Sequence, residues 1–296
     1  MNRTNAIKEK LKEKFTIEDL GKNNLAGYTE LVLKNFSRGT SAEKSYTVGA
    51  SKVSPAIYLD VDNIPCYYLI QLGGGYIEGE YYENYIEMKD DTRAILTTQA
   101  SNKVYKSENG IPSKQHSEIR IGENAVMEYI NDSVILYKDA VYEQKTDIYL
   151  KESSTLIYAD GITAGWSPDG KYFQYTSTRM KTRIFLEDEL VYFDNLKLVP
   201  REYDVQDFGI LEGYKNFGTM IVIDKKINRE IVNTVRELIE NAGLDIKFGI
   251  TALEINGFII RILGNITQDI QKSIAIAHNY LRKEFFDSDE LNMRKY

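Results

Sequence analysis

The fold is decided by the stretch Glu118-Ile119-Arg120-Ile121-Gly122-Glu123-Asn124-Ala125-Val126-Met127-Glu128-Tyr129-Ile130. It contains a short strand, a polar turn that includes a glycine, and a second strand of apolar residues. The pattern recurs at 85–98, 147–159 and 183–194, and each copy has an isoleucine in its first strand. These isoleucines, at positions 86, 119, 148 and 184, are 33, 29 and 36 residues apart.

Four copies of a strand–turn–strand unit indicate stacked β-structure, although their spacing is too uneven for a strict solenoid repeat. We therefore expect a mainly β fold whose body consists of stacked β-hairpins. The stack could be a large antiparallel sandwich or a coiled, β-helix-like arrangement of sheets. Because any antiparallel protein contains strand–turn–strand units, the sequence alone leaves these arrangements open.

The sequence changes character after residue 225. Apolar residues spaced three or four apart between 227 and 242 predict a helix, with Asp224 as its N-cap and Gly243 at its end. Two strands are predicted next, at 246–253 and 258–263, followed by a second helix that begins at Thr267 as its N-cap.

These patterns divide the chain into three parts. We expect an N-terminal extension at 1–25 and a β-rich body at 26–225. An α-β-β-α lobe at 226–296, with two helices and two strands, is expected to pack on the body.

The composition excludes several classes of protein. The 296 residues include 37 basic and 44 acidic residues, and the net charge of −7 argues against a nucleic-acid-binding protein. A single cysteine, Cys66, rules out an intramolecular disulfide and a zinc site built from cysteines. No apolar run approaches the roughly 20 residues of a membrane helix, and the charged N-terminus does not resemble a secretory signal. We therefore expect a cytoplasmic protein that binds neither nucleic acid nor membrane.

The most prominent glycine cluster comprises Gly73, Gly74, Gly75 and Gly79. It is not a P-loop, because no Gly-Lys-Ser/Thr sequence follows, and it is not a dinucleotide fingerprint, because no helical pattern follows. We interpret it as a structural loop with a tight turn. The neighbouring Glu78 and Glu80 could bind a cation from one side of a strand, but exposed glutamate pairs are far commoner than metal sites.

Residues 97–103 form a run of small polar side chains that fits a buried polar lining or an interface. No base adjoins Ser101, so a nucleophile there is not expected. His116 is interpreted as a surface histidine, His278 as a boundary histidine and Cys66 as a buried thiol. A binding or scaffold protein is therefore the first interpretation. A small-molecule-binding enzyme that uses the Gly73–Glu80 loop and the 97–103 run is the alternative.

Five motifs occur in a fixed order between residues 25 and 225. They are Tyr68-Leu69-Ile70 with Gly73-Gly74-Gly75-Tyr76-Ile77-Glu78-Gly79-Glu80, then Leu96-Thr97-Thr98-Gln99-Ala100-Ser101-Asn102-Lys103-Val104-Tyr105-Lys106-Ser107, then Met127-Glu128-Tyr129 with 135–140, then Tyr158-Ala159-Asp160 with Gly170-Lys171-Tyr172-Phe173, and last Leu211-Glu212-Gly213-Tyr214 with Phe217-Gly218-Thr219-Met220. Together they resemble the urease accessory protein UreD family, also called UreH. The order of five separate motifs is specific, whereas the glycine run alone is not.

The resemblance implies a scaffold or chaperone for nickel insertion rather than an enzyme. Members of the family are similar in binding urease apoprotein and in recruiting the accessory protein UreF and, through it, the GTPase UreG, which brings nickel. They are also similar in fold, with β-strands in a helical stack and two helices. No tightly bound cofactor is implied, because nickel passes in transit.

An internal polar tunnel is the nickel route that the resemblance implies. The matching residues here are Glu80, Asp160 and, more loosely, Asp132 as transient nickel ligands, with Asn102 and Lys103 as polar lining. Exchangeable oxygen ligands suit such a conduit better than a tight His/Cys cage. Lys171 stands where the family has a carboxylate, so it is not expected to bind the metal.

Overall fold

A computed structural model describes residues 17–59 and 61–293. Eighteen strands and two α-helices lie in these ranges, together with short 3₁₀ turns at Ile17–Asp19 and Lys22–Asn24. The prediction of a mainly β fold is therefore confirmed. The greater part of the expected N-terminal extension, residues 1–16, lies outside the described residues. Within the described ranges, no helix is both long and apolar enough to span a membrane.

One of the two large sheets, called here the front sheet, has seven strands. In spatial order they are β15 (Glu189–Leu198), β14 (Ser177–Leu186), β12 (Val141–Leu150), β9 (Ser113–Ile121), β6 (Tyr81–Met88), β1 (Leu25–Phe36) and β2 (Gly39–Gly49).

The other large sheet, called here the back sheet, has nine strands. In spatial order they are β17 (Ile246–Ala252), β18 (Gly257–Gly264), β16 (Asn216–Ile223), β13 (Thr155–Ile162), β10 (Val126–Ile130), β7 (Arg93–Thr98), β5 (Pro65–Gln71) and β3 (Ser51–Val53), with β4 (Ile57–Tyr58) also paired to β5. A third, short ladder joins β8 (Lys103–Val104) to β11 (Ile135–Leu136) in parallel.

The chain coils between the two large sheets. In the units at 85–98, 118–130 and 147–159 the two strands lie in different sheets, and equivalent strands of these units pair in parallel. The unit at 183–194 differs, because both of its strands lie in the front sheet, where β14 pairs in parallel with β12 and antiparallel with β15. Of the arrangements that the sequence left open, the coiled stack is the one observed. The four repeated isoleucines are direct neighbours, because Ile119 is in register with Ile86 and Ile148, and Ile148 with Ile184. The uneven spacing along the sequence is absorbed by the loops.

The stack ends in antiparallel pairs. At one end β1 pairs with β2, and at the other β14 pairs with β15 and β13 with β16. Between the sheets the isoleucine row packs with apolar residues of the back sheet, including Leu96, Met127 and Leu156, to form the main core.

The C-terminal helices are α1 (Arg229–Asn241) and α2 (Thr267–Phe286). Both helices and both intervening strands occur where the sequence predicts them. Strands β18 and β17 extend the back sheet from β16, and the helices pack on its outer face, where apolar residues such as Met220 and Ile260 meet Val235 and Leu281. The division at 25/26 and 225/226 remains a prediction.

Both predicted N-caps are wrong, whereas the predicted helix end is correct. Asn228 caps α1, because its side chain accepts a hydrogen bond from the Ile231 N–H at 3.0 Å. Asp224 instead accepts hydrogen bonds from the Thr155 hydroxyl and from the Lys226 N–H. Its carboxylate is therefore bound to β13 and does not cap the helix. Thr267 is already inside its helix. Gly243 follows the last turn of α1 with a φ of +62°, a conformation that favours glycine.

A buried ion network attaches α2 to the back sheet. The carboxylate of Glu128, on β10, accepts hydrogen bonds from Arg282 Nη1 at 2.6 Å and from Arg93 Nη2 at 2.9 Å, and its Oε2 lies 2.8 Å from His278 Nε2. The side chains of Glu128 and Arg282 are both 0% exposed. Burial alone would raise the pKa of Glu128, but the hydrogen bond to His278 and the charges of His278, Arg93 and Arg282 lower it to about 2.

We expect Glu128→Gln to destabilise the protein by about 3 kcal/mol at pH 7, because it leaves buried cations without their counter-charge. The depressed pKa of Glu128 means that its contribution is present above the ordinary value of 4.5 and is lost as the pH falls towards 2. Urea unfolding of both proteins between pH 3 and pH 7 should therefore show a difference that shrinks in acid. The control is Glu237→Gln on the exposed side of α1. Equal stability of the Glu128 variant and the unaltered chain at pH 7 would refute the prediction.

Candidate functional site

A row of small polar residues crosses the inner face of the front sheet. In register from strand to strand, the row consists of Thr29, Asn84, Ser117, Thr146, Thr182 and Asp194. Parallel in-register pairing places equivalent positions side by side, so a polar residue at one position of each unit becomes a continuous line. The line ends at Asp194, whose carboxylate pairs with Arg261 Nη2 of β18 at 3.1 Å.

A polar cavity lies between this row and the back sheet. Its back-sheet wall includes Tyr129, Tyr158 and Asp160, and Gln115 and Gln144 contribute amides from the front sheet. The space open to the centres of water molecules in the cavity is about 50 Å³. Since one water needs about 10–15 Å³ of such space, the cavity has room for a few waters.

Asp160 is the half-buried carboxyl group of the back-sheet wall. It accepts a hydrogen bond from the Tyr158 hydroxyl at 2.9 Å and from Gln144 Nε2 at 3.3 Å. Burial raises the pKa of Asp160 from its ordinary 3.8 to about 6, although the hydrogen bond from Tyr158 opposes the shift. Slightly below neutral pH this carboxyl group can therefore be either protonated or ionised.

Asp132 and Asn102 also line the cavity. Asp132 is buried, and its carboxylate accepts hydrogen bonds from the Thr98 hydroxyl at 2.9 Å and from Gln271 Nε2 at 3.4 Å. Asn102 Nδ2 donates to the Tyr76 hydroxyl at 3.2 Å, and that hydroxyl donates to Gln115 Oε1 at 2.6 Å. The structure thus brings together three of the five route residues expected from the sequence.

The other two expected residues, Glu80 and Lys103, do not line this cavity. Glu80 accepts hydrogen bonds from the Ile77 N–H at 2.9 Å and the Tyr82 hydroxyl at 2.8 Å. It therefore contacts Tyr82, which lines the cavity, without lining the cavity itself. The side chain of Lys103 is exposed, and its backbone carbonyl accepts a hydrogen bond from the Tyr76 N–H at 2.8 Å. A role for either residue in a metal route remains a prediction.

The glycine loop packs against β8. A side chain at Gly75 would place its Cβ 2.5 Å from the carbonyl oxygen of Lys103, and Gly73, Gly74 and Gly79 all have positive φ angles. Only glycine fits this combination of left-handed backbone and close approach.

Glu78 is held by hydrogen bonds from the loop at 107–111. Its carboxylate accepts hydrogen bonds from the Ser107 hydroxyl at 2.6 Å and from three backbone N–H groups, which together lower its pKa to about 2. Glu78 and Glu80 therefore serve different partners. Across residues 17–59 and 61–293, no group of three or more His, Cys, Asp or Glu side chains could hold a metal ion.

Both histidines are less exposed than the sequence predicts, and both contact acidic side chains. His116 lies between Glu83 and Asp147 on the outer face of the front sheet, and His278 is buried against Glu128. Cys66 is fully buried, as predicted.

Sequence reasoning missed most of the polar row, although a signal was present. The residue two positions before each repeated isoleucine is Asn84, Ser117, Thr146 or Thr182. Aligning the four units on their isoleucines would have predicted a polar line beside the apolar one.

Comparisons with known proteins identify the family. The family model described as UreD urease accessory protein matches residues 26–295. The urease accessory protein UreD of Ureaplasma parvum is 38% identical over 277 residues, which cover 92% of this chain and 96% of the relative. The chain belongs to the UreD urease accessory protein family. The UreD proteins of Streptococcus salivarius and Bacillus cereus are each 37% identical, over 91% and 86% of this chain and over 96% and 92% of their own lengths.

We expect Asp160→Asn to stabilise this UreD family member at pH 7.5 by about 1–3 kcal/mol. The raised pKa means that the folded state binds the proton more tightly than the unfolded state, so ionised Asp160 lowers stability as the pH rises from 3.8 towards 6. The amide cannot ionise, and the gain should vanish near pH 4. Urea unfolding at both pH values measures it, with Asp188→Asn in an exposed turn as the control. If the variant were instead less stable at pH 7.5, ionised Asp160 would not lower the stability of the fold, and the prediction would be wrong.

Proposed function

We propose that this chain is a scaffold in urease maturation that binds urease apoprotein and recruits UreF and, through it, the GTPase UreG. In this proposal the polar cavity is part of an internal route by which nickel reaches the urease active site. The observation that carries the proposal is the in-register polar row with Asp160 opposite it across the cavity, in a chain that belongs to the UreD family.

The chemistry of the cavity supports transit rather than storage. Ni²⁺ binds oxygen ligands weakly enough to exchange them, whereas clustered imidazoles and thiolates would hold it. Asp132 and Asp160 supply one carboxylate each, surrounded by amide and hydroxyl groups. Because the pKa of Asp160 is about 6, a passing cation can displace its proton near neutral pH.

The proposal includes no catalysis, no tightly bound cofactor and a cytoplasmic location. The alternative, a small-molecule enzyme built on the Gly73–Glu80 loop and the 97–103 run, finds less support. Glu78 is occupied by backbone and hydroxyl donors, and Thr97 and Thr98 donate hydrogen bonds to a neighbouring strand and to Asp132.

The test is to express the urease subunits with the full accessory set, carrying either the unaltered chain or a variant of it. We expect Asp160→Asn and Asp132→Asn to lower the nickel content of purified urease severalfold, measured by mass spectrometry of the metal. Co-purification of each variant with urease should be unchanged, because both residues line the cavity between the sheets. Asp188→Asn is the matched control and should give normal nickel content.

The outcomes separate the two parts of the proposal. Full nickel content with the Asp132/Asp160 double variant would disprove the route and leave the scaffold intact. Full nickel content when the chain is omitted altogether would disprove the maturation role itself.

A further inference from the structure

A basic groove lies on the outer face of the front sheet, on the opposite side from the polar cavity. It has a volume of about 320 Å³. Its cationic side chains come from three adjacent parallel strands: Lys114 and His116 from β9, Lys145 from β12, and Arg179 and Lys181 from β14.

The positive charges of the groove are only partly neutralised. Lys145 pairs with Asp147 at 2.7 Å and Lys114 lies 3.5 Å from Glu143. Arg179, by contrast, donates to the neutral amide oxygen of Asn195 at 2.8 Å.

Lys181 has no ion-pair partner within the described ranges. Burial alone would lower the pKa of His116, but hydrogen bonds to Asp147 and Glu83 raise it to about 9, and these two carboxylates balance the charge that it carries at neutral pH. The charges of Arg179 and Lys181, which no carboxylate among the described residues pairs with, stand out in a chain whose net charge is −7.

The groove continues into an aromatic surface on the same strands. Tyr149 and Phe185 stack with their ring centroids 4.9 Å apart, and the Arg120 guanidinium lies 4.5 Å from the Tyr149 ring centroid. Beside them Phe193 and Leu190 are 54% and 53% exposed. Exposed aromatic residues together with arginine are typical of protein interfaces.

The spacing of the cations favours an extended acidic segment over a small anion. Neighbouring strands are about 4.8 Å apart, so charges on β9, β12 and β14 are spread across the sheet instead of converging on one point. A phosphate site would need converging donors, such as the backbone N–H groups of a loop or a helix N-terminus. Residues 1–16 of this chain are unsuited to the groove, because they contain five basic and two acidic residues.

We propose that the basic groove is a docking site for an acidic, extended segment of a protein partner. Alternate side chains of an extended segment point to the same side, so successive carboxylates can meet cations of successive strands. Arg179 and Lys181 are the principal contacts, since neither is neutralised by a carboxylate. The inference does not depend on the nickel route, which lies on the inner face of the sheet.

The experiment measures fluorescence anisotropy of a labelled peptide of about ten residues in which Glu alternates with Ala. The unaltered full-length chain should bind it, and binding should weaken as salt is added. The same peptide with Gln in place of Glu should bind much more weakly. The double variant Arg179→Glu/Lys181→Glu should lose affinity about tenfold or more, because two attractive contacts become repulsive.

The control carries the same change in net charge elsewhere. Lys225→Glu/Lys272→Glu alters two exposed lysines on the C-terminal side of the molecule and should bind like the unaltered chain. Thermal melting of both double variants checks that they are folded. Unchanged affinity of the groove variant, or an equal loss in the control, would overturn the proposal. Tighter binding of pyrophosphate than of the acidic peptide would also overturn it, in favour of a small-anion site.

Discussion

Equivalent strands of successive coils pair in parallel and in register, and the rest of the structure depends on this pairing. In such a stack the residue at each position of the repeat lies beside the residues at the same position in the neighbouring coils. One type of side chain can therefore form a continuous row along the axis of the stack. The isoleucine position becomes the row Ile86, Ile119, Ile148 and Ile184, which forms the core. Two residues earlier, the same rule aligns four polar residues, of which Asn84, Ser117 and Thr146 form part of the wall of the cavity. Core and cavity are therefore consequences of one pairing rule.

The outer faces of the two large sheets differ in the kind of side chain that they present. The back sheet presents apolar side chains outward, and α1 and α2 cover them. The buried network around Glu128 fixes α2 in one position, which apolar packing alone would specify less sharply. The front sheet presents charged and aromatic residues outward, and these pair with each other along the sheet, as His116 does with Glu83 and Asp147.

Much of the fold could be predicted from sequence because it is encoded locally. Strand–turn–strand units and both C-terminal helices have strong periodic signals, and Cys66 was correctly placed inside. The helix caps could not be predicted so well. Asp224 is an ordinary N-cap candidate until Thr155, distant in sequence, takes up its carboxylate. For the site, Asp160, Asp132 and Asn102, which the resemblance implied as route residues, line the cavity, and their part in a nickel route remains a prediction. The resemblance could not show that Glu80 and Lys103 point elsewhere, because side-chain direction depends on the loop packing around Gly75.

The coiled architecture also makes this chain a molecular ruler. Each additional coil would add one strand to each sheet, and would lengthen the interior by one strand spacing of about 4.8 Å without altering its cross-section. The distance between the two ends of the stack can thus change only in discrete steps. Loops of different length, such as those that make the units 33, 29 and 36 residues apart, leave that distance untouched. The surfaces of such a chain can therefore diverge while the separation of its ends stays fixed.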